Sequence, residues 1–205
     1  TIKDLESLES FIKDVIDSTY DLCSVYKPNF AFYEKYGPSG MKLLENIVSH
    51  IAKRSLVIAD AKRGDIGNTS ASYAQSIFDY YDFDAITIAP YMGSDSIEPF
   101  ISNPEKGVYL LCLTSNPSSI DFQYKLSNDS YLYEDVAKLA LSLNNHDNLG
   151  LVVGATKKNE MKKIREIAPS LTWLVPGIGA QGGNLEESVS ISNKKPASGI
   201  INVSR

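Results

Sequence analysis

A chain of 205 residues, 43% hydrophobic and 22% charged, has the composition of one soluble globular domain with a sizeable core, which excludes a disordered protein. The net charge of −5, with both signs mixed throughout, provides no basic stripe for nucleic acid, and no apolar run approaches the length that crosses a membrane. What remains is a protein that handles small molecules, read as a single domain over residues 1–205.

In chain order, residues 3–19 carry Leu5, Leu8, Phe11, Ile12, Val15 and Ile16 at helical spacing and predict an amphipathic helix. Residues 22–26 predict a short strand closing on Lys27-Pro28-Asn29, since proline cannot donate to a strand ladder. Lys27 reads either as a snorkelling surface lysine or as a cation set at a strand end. Gly37-Pro38-Ser39 then opens a helix through Met41, Leu43, Leu44, Ile47, Val48 and Ile51.

The next stretch, residues 56–69, organises the rest. An apolar run of strand length ends in the DxKxxD cluster of Asp60, Lys62 and Asp65, and Gly67, Asn68 and Thr69 follow, the last two suited to cap a helix. Residues two apart on extended backbone share a face, so Asp60 and Lys62 point together, and Asp65 sits where the chain turns. Taken alone the triplet reads as a solvated loop with a local ion pair, worth about 0–1 kcal/mol. Withdrawn from water, alternating carboxylates and ammonium groups hold one another ionised while opposing a further negative charge carried in by a ligand. That is a device for destabilising a bound anion.

A helix through Tyr73, Ala74, Ile77, Phe78 and Tyr81 leads to a strand at 84–89, a loop with Pro90 and Gly93, a short helix near 95–101 and a strand at 107–113. Thr114-Ser115-Asn116-Pro117 begins a polar stretch to about Asp129 with no helical period, expected to be a lid. Helix returns at 130–144 and 159–167, and strands at 149–154, 172–175 and 199–203. Seven strands alternating with helices predict a (β/α)8 TIM barrel. Because the chain opens on a helix, the first strand and the last helix are expected to be missing from it. A flavodoxin-like open sheet is the alternative.

The glycine-rich segment 176–183 follows the next-to-last strand and Arg205 follows the last, the pair of loops where this barrel commonly holds a phosphate. Turn chemistry and a chain terminus are the plainer readings of the two. Cys23 and Cys112 both fall in predicted strands and read as buried free thiols in a reducing, cytoplasmic setting, with no signal-peptide pattern at Thr1. His50 and His146 read as surface or capping residues, and Trp173 as packing.

With these residues assembled, the chain resembles the orotidine 5′-monophosphate decarboxylase family from near Leu22 to Arg205. Four pieces carry the likeness: Lys27-Pro28-Asn29, the segment from Asp60 to Thr69, Thr114-Ser115-Asn116-Pro117, and residues 176–183 with Arg205. DxKxxD alone is shared with phosphosugar decarboxylases and aldolase-like synthases; the combination in this order is specific. The resemblance implies decarboxylation of orotidine 5′-monophosphate to uridine 5′-monophosphate, the last step of de novo pyrimidine biosynthesis, with no metal and no cofactor. It implies that Lys27, Asp60, Lys62 and Asp65 form the family's alternating array, with Lys62 the cation and proton donor. Asp65 and Thr69 would reach into the neighbouring site of a homodimer. Asn29 would help place the ribose or phosphate, Thr114 and Ser115 would bond the pyrimidine amide edge, and Pro176 would line the pocket. Gln181 and Arg205, with the amides of glycines such as Gly182, would hold the phosphate. The family uses a further aspartate at the end of its first strand, and because that strand is expected to be missing from this chain the residue is not assigned. Two rivals stay open: a Mg2+-dependent phosphosugar decarboxylase or synthase on the same scaffold, for which Lys27 is an unwelcome cation, and a non-catalytic nucleotide-binding protein.

Overall fold

Among the described residues, seven parallel strands stand side by side in chain order, so each strand pairs with the one that precedes it in the wall. The structure is a computed structural model that describes residues 4–52, 54–179 and 182–204. Helix α1 (Leu5–Thr19) leads to β1 (Val25–Tyr26), α2 (Ala31–Glu34) and α3 (Gly37–Ile51), and β2 (Leu56–Arg63) leads to α4 (Gly67–Gln75). A π-helical turn at Ser76–Tyr80 extends α4, followed by β3 (Ala85–Ile88), α5 (Ser94–Ile101) and β4 (Gly107–Leu113). After β4 comes an excursion with a 3-10 turn at Pro117–Asp121 and a small hairpin of β5 (Leu126–Ser127) and β6 (Ser130–Tyr131). The chain returns through α6 (Leu132–Leu143), β7 (Leu149–Val153), α7 (Lys158–Ile167), β8 (Trp173–Val175), α8 (Leu185–Ser192) and β9 (Gly199–Ile201). The wall order β1-β2-β3-β4-β7-β8-β9 is that of a nearly closed parallel barrel, as the alternating pattern predicts.

Two apolar layers follow from the period of two along each strand. Val57, Ala59, Ile86, Ile88, Val108, Leu110, Leu151, Val153 and Trp173 face the helices and join Leu44, Ile47, Phe100 and Ile164 in the main core. Their neighbours Val25, Ile58, Ala85, Tyr109, Val152, Leu174 and Ile200 form a separate cluster, the filling of the barrel. One step further along the same faces come Lys27, Asp60, Thr87, Gly154, Pro176 and Asn202. The interior is therefore apolar at depth and polar at the C-terminal ends of the strands, where this fold places its chemistry.

Local departures from the sequence reading have local causes. Cys23 is exposed and lies outside β1, because the amides of Leu22 and Cys23 both donate to Thr19 O, at 2.9 and 3.0 Å, and complete the turn that ends α1. Cys112 is buried in β4 as expected. Helix α4 starts at Gly67, with Ile66 at the N-cap and no side-chain cap, so Asn68 and Thr69 stand in its first turn instead of capping it. Helix α8, unmarked by a long apolar period, is capped by Asn184, whose side chain accepts the Glu187 N–H at 3.0 Å. His50 pairs with Asp17 on the surface at 2.8 Å, and His146 is exposed. Trp173 is a core residue, and the Arg165 guanidinium lies over its ring, 3.8 Å from the centroid. Arg165 donates to the carbonyls of Leu171 at 2.7 Å, Ser192 at 2.8 Å and Ala168 at 3.2 Å. Burial pulls its pKa down to about 10, which leaves it charged at neutral pH.

Candidate active site

Asp60 is the centre of the site. At the end of the apolar part of β2 the residue is only 8% exposed, and its carboxylate is satisfied on every side. Lys27 Nζ donates to Oδ2 at 2.6 Å and Asn29 Nδ2 to the same oxygen at 3.0 Å. Lys62 Nζ donates to Oδ1, which also faces Thr87 Oγ1 at 3.3 Å. Burial alone raises a carboxyl pKa, but here the two ammonium groups outweigh it and hold Asp60 below its ordinary value. The ion pair seen in the DxK triplet is thus not isolated: its carboxylate is buried and shared with a second cation, Lys27. Lys27 comes to it from the neighbouring strand end and is itself largely covered, whereas the Lys62 side chain is 49% exposed and forms the open flank of the group.

A break in β2 sets this arrangement. Ala59 pairs with Ile86 and Arg63 with Ile88, so β2 uses four steps where β3 uses two. Within the surplus, Lys62 adopts φ +47, a conformation that L side chains rarely take. The bulge lets Lys62 stay with Asp60 while Arg63 turns outward, pairs with Glu34 and lies between the rings of Phe30 and Tyr73, each 5.3 Å away. Asp65 lies beyond the bulge. Its Oδ1 accepts the Ile66 N–H at 2.8 Å, and among the described residues no cation pairs with it. Thr69 is exposed in the first turn of α4.

On the far side of the mouth, Gln123 grips Thr114 from two directions. Its Oε1 accepts the Thr114 N–H at 2.9 Å and its Nε2 donates to Thr114 Oγ1 at 2.7 Å. The threonine hydroxyl in turn donates to Asn116 Oδ1 at 2.7 Å. Ser115 lies against Gly154, where a side chain would meet the Ser115 nitrogen at 3.0 Å. The loop after β8 relies on glycine in earnest: Gly177, Gly179 and Gly182 have φ of +103, +80 and +83. Gly183 donates to Gly177 O at 3.0 Å, and a Cβ there would stand 2.6 Å from both Gly177 O and Ala155 Cβ. The N–H of Gly182 donates to Gly179 O at 2.8 Å, and Pro176 O accepts the Ala155 N–H at 2.9 Å. Gln181 and Arg205 lie outside the described residues.

Of the residues singled out from sequence, the structure brings Lys27, Asn29, Asp60 and Lys62 into one hydrogen-bonded group. Asn29 acts within the chain as a buttress, since its Oδ1 also accepts the Ala31 N–H at 3.0 Å. Thr87 and Gln123 belong to the site and carried no sequence signal, one lying in an apolar strand and the other in an aperiodic stretch.

Fold and site together define a parallel β/α-barrel enzyme with a group of paired charges gathered at its strand ends. The sequence profile of the orotidine 5′-phosphate decarboxylase / HUMPS family matches residues 4–205, and the chain belongs to that family. An orotidine 5′-phosphate decarboxylase of Dehalococcoides mccartyi is 48% identical over 183 residues, covering 87% of this chain and 68% of that protein. One from Phocaeicola vulgatus is 46% identical over 208 residues, covering 100% and 76%. The solved OMP decarboxylase of Leishmania donovani superposes with a TM-score of 0.94 at 40% identity, covering 100% of this chain and 80% of its own. The UMP synthase of the same organism superposes equally well, with a TM-score of 0.94 at 42% identity, and this chain spans 46% of its length.

Proposed function

We propose that the chain converts orotidine 5′-monophosphate to uridine 5′-monophosphate and CO2, working as a homodimer in the cytoplasm. The observation that carries the reading is the buried Asp60 carboxylate held between Lys27 and Lys62, with the Lys62 ammonium on its open flank. Cleavage of the bond between C6 and the carboxylate leaves an electron pair on C6 in the plane of the ring, out of conjugation with any carbonyl. A preorganised cation is then the available source of stabilisation. Lys62 Nζ faces that pair and afterwards delivers its proton to C6. Asp60 opposes the departing carboxylate and keeps Lys62 charged and in place.

Asp65 and Thr69 serve the partner's site. Support comes from Asp65 lacking a cation among the described residues of its own chain, and from the exposed apolar side chains of Ile66, Phe32, Tyr80, Tyr91 and Met92. The pyrimidine amide edge meets the corner at Thr114 and Ser115, Asn29 lies toward the ribose, and Pro176 lines the pocket. The phosphate sits at the glycine-rich loop, where the amides around Gly182 and the side chains of Gln181 and Arg205 receive it. Grip on this remote group lowers the barrier at C6 only so far as it draws the ring into the charged array.

The direct test is to mix purified protein with orotidine 5′-monophosphate in the presence of a chelator and follow the pyrimidine absorbance. Steady conversion is expected. Absence of turnover, or turnover only on addition of Mg2+, overturns the reading.

A further inference from the structure

Thr87 lies on β3 opposite the surplus residues of β2, between the paired Ile86 and Ile88. A bulge leaves a backbone N–H outside the ladder. Here that group is the N–H of Lys62, and it donates to Thr87 Oγ1 at 3.1 Å. The hydroxyl hydrogen then faces Asp60 Oδ1 at 3.3 Å, with Ala59 O at 3.4 Å as its other acceptor. A single side-chain oxygen, on a residue 2% exposed, therefore contacts both members of the pair that faces the reacting carbon. A threonine between two isoleucines reads otherwise as β-branched strand filling, for which valine serves as well.

We propose that Thr87 is a positioning residue: its hydroxyl holds the Lys62 backbone in the left-handed conformation and thereby fixes where the ammonium stands beside Asp60. A non-glycine residue at φ +47 persists only where its surroundings over-determine it. With the Lys62 N–H unpartnered, the backbone relaxes toward extended geometry and carries Nζ away from its position. The inference rests on the reading of Lys62 as the proton donor, and goes beyond it by naming what aims that lysine.

The test compares Thr87→Val, Thr87→Ser and Lys62→Ala with the parent in the full chain, measuring kcat and KM for orotidine 5′-monophosphate, Kd for uridine 5′-monophosphate, and thermal unfolding. Thr87→Val is expected to lose about 10- to 100-fold in kcat, the range that a displaced reacting group incurs, with KM and product Kd held within about threefold. Thr87→Ser keeps the hydroxyl and restores kcat to within about threefold of the parent. A valine variant with parental kcat, a loss carried in KM, or a serine variant as impaired as the valine one overturns the inference. Thr87→Ala carries the same comparison with serine if the valine variant does not fold. An active parent with inactive Lys62→Ala and unimpaired Thr87→Val removes this inference alone, whereas a parent without turnover removes the reading of Lys62 with it.

Discussion

The Tyr124 hydroxyl donates to Glu160 Oε1 at 2.8 Å and thereby ties the excursion after β4 to helix α7 of the next β/α unit. Lys157 lies over the same ring, 5.3 Å from its centroid, and Tyr124 packs against Tyr131 and Tyr133 at centroid distances of 5.7 and 5.5 Å. Together with the grip of Gln123 on Thr114, this anchors the excursion at both ends of its 3-10 turn. Removing the Tyr124 hydroxyl should loosen it by the net worth of a charge-assisted bond, about 1.5–3 kcal/mol, discounted toward the low end by the partly exposed setting. Hydrogen exchange in Tyr124→Phe should therefore quicken at residues 114–131 and stay unchanged in the wall strands. Unaltered exchange in that stretch would show that the tyrosine stack alone holds it.

The charge state of Asp60 makes a second measurable difference. Burial raises its pKa, and Lys27 followed by Lys62 more than reverse the effect, so the folded value lies below the ordinary 3.8. A carboxyl depressed on folding contributes stability that is fully present above its unfolded pKa and is lost as the pH falls through the folded value. Urea midpoints measured between about pH 2 and 6 should fall more steeply below pH 4 in the parent than in Asp60→Asn. Parallel curves would mean that the carboxylate gains nothing from its lysines.

How much of this was legible follows from which signals are local. Asp60 and Lys62 stand out because charges at the end of an apolar strand run violate its pattern, and the alternation that buries Ile58 beneath Asp60 is readable from spacing. The bulge is not readable, since no glycine marks Lys62 as left-handed and the strain is sustained by Thr87, which is distant in sequence and sits inside an apolar strand. Gln123 escapes notice for the same reason: its partner Thr114 is met only after the chain folds back. Cys23 falls in a predicted strand because β-branched and apolar content signals strand without sensing that the preceding helix still claims its amide.

Arg165 is a further case of a role set by tertiary structure, and it supplies a third prediction. In sequence it follows Lys162 and Lys163 and looks like another solvated charge, yet it is 4% exposed and serves the carbonyls of Ala168, Leu171 and Ser192. Arg165→Met leaves those acceptors unserved. The expected cost is on the order of 3 kcal/mol, or a fall of about 6–12 °C in Tm for a domain of this size. Activity at 25 °C should be unaffected, because the residue is remote from the charged group.

The last prediction concerns the sharing of sites between subunits. If Asp65 acts across a twofold axis, each site draws Lys62 from one chain and Asp65 from the other, and either Lys62→Ala or Asp65→Ala alone inactivates both sites of its homodimer. In a heterodimer of the two variants the defects segregate. One site collects both alanines, and the other receives an intact lysine and an intact aspartate. Random reassociation of equal amounts should make about half the dimers mixed, each with one working site, and so recover about a quarter of parental activity from two inactive preparations. Confirmed heterodimers without activity would place Asp65 in the site of its own chain, and the exposed apolar residues near Ile66 would then need another occupant.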